Sequence, residues 1–567
     1  MFATLTHDPT SFVGWSWAQI APYYHDLAGR TLTAGGVPEF LRDWTWVSER
    51  VSETHARLRV ATTQHTNDLE AERGFHLFLE QIFPAAQAAE QRLRAHLLAS
   101  GQAPEGFALP LRKMAADSAL FREANLALLA EEQKLVIQHN KILGAQTARW
   151  DGRELTLSQL RPFYQHTDRA VRERAWRIAA ERQHADYGAI ADLWRQLLAL
   201  RQRIAGNATG GDYRAFKWQQ LHRFDYTPAD CARFHDAIVQ VAVPAARRLH
   251  ERRRRRLGVE RLRPWDLLAD PLGRAPLAPF RDSAELEAGA AAIFHRVDPA
   301  LGAYFDTMVR EELLDLTNRM HKGPGGYCAS FAAAKRPFIF MNAVGLHGDV
   351  QTLLHEAGHA FHVFERNPLP YLQQRIVGSE FGEVASMAME LLASPYLAAS
   401  HGGFYGEADA ARAHVEHLEK IILFWPYMAV VDAFQHWVYQ HPDEAADPRR
   451  CDETWSALWG RFEAGVDWSG LEVDLAAGWQ RKHHIHTVPF YYVEYGLAQL
   501  GAVQVWGNAL SDQSAAVAAY RRALARGGTA SFPDLYAAAG ARFAFDPTTL
   551  ERGLGLMEGI LARLDPD

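Results

Sequence analysis

The stretch "LLHEAGHAFH" (353–362) carries two histidines four residues apart, His355 and His359, with Glu356 directly after the first. On a helix, residues i and i+4 lie on one face, so both imidazoles can share one ion. Glu356 sits about 100° further round, a position from which a carboxylate reaches a water rather than the metal. The chemistry of such a set is hydrolysis, with zinc polarising a carbonyl and the carboxylate acting as general base. Leu353, Leu354, Ala357, Ala360 and Phe361 predict that this helix is buried. Gly358 costs a helix about 1 kcal/mol relative to Ala. Its missing side chain lets another backbone or a substrate come close. The competing reading is an amphipathic helix whose histidines only pack or face water.

A catalytic zinc needs a third protein ligand and an open fourth position. Downstream, "VGSEFGEVASMAMELLASPYL" (377–397) has a helix-start signature and three candidate carboxylates, Glu380, Glu383 and Glu390. Glu383 and Glu390 are seven apart and share a face, and Glu380 lies near Glu383. Carboxylates on a helix this rich in Ala, Met and Leu are costly unless paired or bound. Spacing leaves the three open.

A second chemical segment is "RKHHIHTVPFYYVEYGLAQLGA" (481–502). Its histidines and tyrosines are neutral donors suited to the oxyanion of a tetrahedral intermediate. Tyr491 and Tyr495 are i, i+4, whereas Tyr492 reads as a core aromatic.

The elements that must position these groups are mostly helical. Apolar residues recur at three- and four-residue intervals through 68–100, 118–146, 169–207 and 407–440. "ATGGDY" after Asn207 ends the third of these runs. Strand signals are few. One is Glu154–Leu157. The clearer one is "RPFIFMNAVG", where Phe338, Ile339 and Phe340 lie behind a proline, after the glycine-rich loop "KGPGGYC" (322–328) and before the histidine helix. At a sheet edge, such a strand can hold an extended peptide by strand addition.

"HEAGHAFH", then 23 residues after His359, then "EVAS" resembles the thimet oligopeptidase and oligoendopeptidase F family of zinc peptidases, nearest its oligoendopeptidase F and Pz-peptidase branch. "KGPGGYCASF" with "PFIFMN" is similar to that family's glycine loop and edge strand, and 481–502 to its tyrosine-rich segment. The resemblance runs through roughly 165–567 and more faintly before it. It implies one Zn2+ per chain held by His355, His359 and Glu383, with Glu356 as general base. His484, with His486 as rival, and Tyr491 and Tyr495 would contact the reacting carbonyl. His362 then packs or lines the cleft. The implied fold is mainly α: a two-lobed helical body with a deep substrate channel and a small β-sheet beside the HExxH helix. Residues 1–165 form an N-terminal helical region and 166–567 the catalytic region. The implied activity is internal cleavage of short unstructured peptides.

Composition sets the remaining bounds. The chain has 567 residues, 48% apolar and 22% charged, as in ordinary globular proteins. A net charge of −7 disfavours nucleic acid as a partner. The basic run Arg252–Arg256 reads as a solvated helix face. Three scattered cysteines, Cys231, Cys328 and Cys451, fit a reducing compartment. The N-terminus has no secretory pattern, and no apolar run approaches the roughly 18–20 residues of a membrane span. A cytoplasmic protein without membrane contacts is expected. Two other functions fit the same motif: a zinc carboxypeptidase or dipeptidase on a related helical fold, and a non-catalytic peptide- or metal-binding protein.

Overall fold

Asp residues begin many of the helices by accepting hydrogen bonds from first-turn amides. Asp212 accepts from Ala215 N at 2.9 Å, Asp282 from Glu285 N at 2.9 Å and Asp546 from Thr549 N at 2.9 Å. The computed structural model describes residue 2 and residues 9–319, 322–323 and 325–565, and within them the chain is mainly α-helical. Pro324 of the glycine-rich loop lies outside the described residues.

The long apolar periodicities resolve into shorter helices where local chemistry interrupts them. The 169–207 run is two helices, Arg169–Ala185 and Tyr187–Thr209, broken at Asp186, whose carboxylate accepts from Gln146 Nε2 at 2.8 Å. Gly210, at φ 74°, closes the second in the left-handed conformation that glycine adopts at no steric cost. The 68–100 run passes through a π-turn at Phe78–Ile82, just before Pro84, which has no amide hydrogen to donate.

The chain divides into two units, each drawing on segments from both sides of residue 165 or spanning it. The first comprises Met1–Ala119, Ala278–Ala410 and Ala498–Phe543. Its sheet has the order β1 (Leu314–Thr317), β3 (Arg336–Ala343), β2 (Tyr327–Phe331), with β1 parallel and β2 antiparallel to β3. The expected strand at Phe338–Asn342 is therefore present, but it is central rather than an edge. Phe338, Ile339, Phe340 and Met341 are all buried, the pattern of a strand covered on both faces. The edges fall to β1 and β2. Asn342 Nδ2 ties the preceding loop down through the Gly323 and Gly325 carbonyls, at 2.8 and 3.0 Å. Helices α1 (His347–Arg366) and α2 (Ser379–Ala393) follow, and α1 packs on β3.

The second unit comprises Leu120–Leu277, Ala411–Leu497 and Ala544–Asp567. It holds the hairpin Thr147–Trp150/Arg153–Thr156, which covers most of the strand expected at Glu154–Leu157. It also contains most of α3 (Glu407–Gln440) and the first turns of α4 (Tyr492–Ala509). By length and composition α3 could cross a membrane, since one 18-residue window reaches a mean hydropathy of 1.2, but 72% of that window is buried in the protein. α3 reaches that mean without a continuous apolar run of such length, since Asp432, Gln435 and His436 interrupt it. Within this unit the Arg252–Arg256 run is a solvated face only in part: Arg255 is exposed and Arg254 pairs locally with Glu251, but the other three are held by distant acids. Arg252 and Arg253 bind Glu419 at 2.6 and 3.2 Å, and Arg256 binds Asp565 at 2.5 Å. Their acidic partners are too distant in sequence for a local charge pattern to reveal them.

Candidate active site

The carboxylate of Asp349 starts α1, accepting from the amides of Val344 and Leu346 at 2.8 and 2.9 Å. Two turns later α1 crosses α2 at Gly358. A Cβ there would lie 2.5 Å from the Ala385 carbonyl oxygen and 2.6 Å from Ser386 Cα. No side chain fits, so the glycine lets the two backbones touch. The same carbonyl accepts from Tyr520 OH at 2.7 Å.

This contact carries Glu383 to the histidine face. His355 Nε2 lies 3.3 Å and His359 Nε2 3.5 Å from Glu383 Oε2. One ligand atom from each of the three residues falls within 4.8 Å of the others. The histidine side chains keep 22% and 25% of their exposure, against 6% for the carboxylate, so one side of the cluster stays open to solvent. Two imidazole nitrogens and a carboxylate, with room for one further ligand, fit a catalytic zinc.

Two of the three candidate ligands, His355 and Glu383, are oriented from behind. His355 Nδ1 donates to Glu390 Oε1 at 2.7 Å, which leaves Nε2 facing the cluster. Ser386 Oγ donates to Glu383 Oε2 at 2.9 Å. Sequence reading had treated Glu390 as a rival ligand and passed over Ser386, though the serine stands within the "EVAS" motif. Burial alone would lower the His355 pKa, but its bonds to Glu383 and Glu390 outweigh this and hold it well above the usual histidine range. Burial opposes ionisation of Glu383, yet the charges of His359 and His355 hold its pKa well below the usual carboxylate range. Glu356 is buried, and burial pushes its pKa up against the opposing pull of the two histidines. That makes it a stronger base once ionised.

The remaining carboxylate and histidine of this region do not join the cluster. Glu380 is buried, and its backbone carbonyl accepts from Tyr536 OH at 2.9 Å. His362 is buried with its ring edge-on to Phe381, and burial drives its pKa well down. It packs, one of the two roles expected for it.

In the second unit, His484, Tyr491 and Tyr495 form a half-buried group. The His484 ring lies 6.2 Å from Tyr491 and 5.8 Å from Tyr495, and the two tyrosine rings are 5.2 Å apart. The joint between His484 and the two tyrosines is Phe490, whose φ of 64° is strained for a bulky residue. It is held there by Gln435 Oε1, which accepts from its amide at 2.6 Å, and by Arg223, which donates to its carbonyl at 2.5 Å. Tyr492 is buried and its hydroxyl accepts from Lys482 Nζ at 2.8 Å. His486 is fully buried, stacked between His139 and Trp479. Of the two histidines weighed for the reacting carbonyl, only His484 stands with the tyrosines.

The model of peptidase family M3 matches residues 163–553. Among solved structures, the chain is similar to Pz peptidase A with an inhibitor, at a TM-score of 0.90 and 26% identity over 100% of both chains. It is similar to a structure described as oligoendopeptidase F, at a TM-score of 0.90 and 26% identity over 100% of this chain and 99% of the other. A further structure, described as an oligoendopeptidase F from Bacillus anthracis, shares the fold at a TM-score of 0.85 and 23% identity over 97% of each chain. No curated protein sequence matches the chain.

Proposed function

The chain belongs to peptidase family M3, and from that premise we propose that it is a zinc-dependent oligoendopeptidase that cleaves internal bonds of short, unstructured peptides. The observation that carries the reading is the meeting of His355, His359 and Glu383 within 4.8 Å, with Glu356 buried on the same helix as the histidines. These three residues would hold one zinc ion, which supplies Lewis acidity towards a carbonyl and towards water.

The chain's own groups do the rest. Glu390 fixes the tautomer of His355, and Ser386 fixes the carboxylate of Glu383. Glu356 takes the proton of the attacking water and delivers it to the leaving amine. His484, Tyr491 and Tyr495 are assigned as hydrogen-bond donors to the developing oxyanion, on their match to the family's tyrosine-rich segment. Since β3 is central, alignment of an extended peptide falls to an edge strand, and β2 is assigned that part. Peptide turnover in the cytoplasm is the role that fits three cysteines outside any disulfide.

The test is a set of peptides, each supplied with free ends and blocked at both ends, incubated with the enzyme before and after chelation, with products identified by mass spectrometry. Internal cleavage abolished by the chelator and restored by zinc is expected. Removal of terminal residues only, with blocked peptides left intact, would mean a carboxypeptidase or dipeptidase. No turnover by zinc-loaded protein would mean a binding protein.

A further inference from the structure

A second set of metal-ligating side chains lies in the second unit, where two helices meet. Helix Pro228–Leu257 carries Cys231 and His235, and α3 carries Asp432 and His436. Both pairs are spaced i, i+4, so the members of each share a face. Cys231 and Asp432 are 0% exposed, and His235 and His436 are also buried. One ligand atom each from Cys231, Asp432 and His436 falls within 4.8 Å of the others.

The hydrogen bonding within the cluster is incomplete. His235 Nε2 and Asp432 Oδ2 are 2.9 Å apart, and His436 Nε2 stands 3.4 Å from the same oxygen. Asp432 Oδ1 and His436 Nε2 are enclosed and make no hydrogen bond. Trp218 and Phe490 pack on the His436 ring, and Phe462 on His235, so the surroundings are apolar. His235 and His436 offset part of the cost of burying the Asp432 carboxylate through Oδ2, but Oδ1 and the His436 nitrogen are left without a hydrogen bond of their own, which is costly in such a place. One cation offsets both.

We propose that Cys231, Asp432 and His436 form a second zinc site, apart from the HExxH cluster, that clamps helix Pro228–Leu257 to α3. His235 is a positioning residue: it holds Asp432 Oδ2 and leaves Oδ1 for the ion. Binding requires the Cys231 thiolate, so its proton is released to solvent as the ion enters. A thiolate, an imidazole and a carboxylate together select a borderline-soft ion such as zinc over magnesium or calcium. The inference does not depend on the peptidase reading, because none of these residues belongs to the HExxH cluster.

The experiment uses the full chain as the double variant His355→Ala/His359→Ala, in which the HExxH cluster has lost two ligands. The protein is equilibrated with Zn2+, freed of excess by gel filtration and analysed for metal. One equivalent retained, and lost on adding Cys231→Ser, is expected. Zinc-free double variant overturns the proposal. Replacing zinc with Co2+ gives an independent readout, since only a sulfur ligand produces thiolate-to-cobalt charge-transfer absorption. The band should appear in the double variant, persist with Cys328→Ser and vanish with Cys231→Ser. Should Cys231→Ser fail to fold, the double variant decides alone: retained metal without that band places the ion elsewhere and overturns the proposal.

Discussion

His355 Nδ1 donates to Glu390 Oε1 at 2.7 Å, so the histidine that faces the metal cluster is gripped by a carboxylate one helix over. Glu390 shares the α2 face of Glu383 but sits two turns further on, behind the ligand set. Carboxylates in this place raise the basicity of the ligating imidazole and fix its tautomer, and losing one typically weakens metal affinity by about 10–100-fold. Glu390→Ala should therefore bind zinc about 10–100-fold more weakly in competition with a chelator. It should recover activity when zinc is supplied in excess. Unchanged affinity would remove Glu390 from the metal's support.

Glu356 should behave in the opposite way. It touches the chemistry and not the ion, so Glu356→Gln should keep full zinc stoichiometry and an unchanged melting temperature. Its kcat should fall by about 10²–10⁴, the usual contribution of a general base. Substantial turnover by zinc-loaded Glu356→Gln would assign the base elsewhere.

Zinc uptake should be coupled to proton release. In the metal-free cluster the bonds to Glu383 and Glu390 outweigh burial and raise the His355 pKa well above its ordinary value, which favours the protonated ring until an ion enters. An ion can be accepted only by the deprotonated nitrogen. Raising the pH through the elevated pKa therefore strengthens zinc binding, and lowering it weakens binding. Calorimetry at pH 7 in buffers of different ionisation enthalpy should show about one proton released per zinc bound. No proton release would mean that His355 is already neutral in the free site.

The HExxH helix was legible from a local spacing, and Glu383, the proposed third ligand, from a motif shared with the family. A four-residue histidine spacing defines a helix face, and the "EVAS" motif marked Glu383. Other features depend on contacts that no local pattern encodes. The run Pro337–Met341 announces burial, but burial does not say whether a strand has one neighbour or two, and β3 proved central. Glu383 and Glu390 had equal claims as ligands on spacing alone. The crossing of α1 over α2 separates them, sending one to the metal face and the other to the back of His355. Arg252 and Arg253 read as solvated because Glu419, which binds them, lies more than 160 residues downstream.

The tyrosine segment yields a paired prediction. Tyr495 is half-buried beside His484 and Tyr491, whereas Tyr492 is buried with its hydroxyl bound to Lys482. If Tyr495 donates to the oxyanion, Tyr495→Phe should lower kcat by about 10²–10³ with KM and zinc content little changed. Tyr492→Phe should leave kcat within a few-fold of the parent and register in thermal stability instead. Equal effects of the two substitutions on kcat would argue that the segment acts through packing alone.

Gly358 links stability to the metal cluster. An alanine there gains about 1 kcal/mol of helix propensity. Its Cβ, however, would meet the backbone of α2 at 2.5–2.6 Å, and backbone cannot rotate aside as a side chain can. Overpacking of this kind costs typically 1–3 kcal/mol, roughly offsetting or exceeding the propensity gain. The relief available is to push α1 and α2 apart, which moves Glu383 away from His355 and His359. Gly358→Ala should therefore lower the melting temperature and weaken zinc binding together. Gly382→Ala is the matched control: it lies in α2 beside Glu383, but its Cβ would have nothing within 4 Å. That variant should be neutral or up to about 1 kcal/mol more stable, with zinc affinity preserved. If Gly358→Ala bound zinc as tightly as Gly382→Ala, the close crossing of the two helices would not be what sets the ligand geometry.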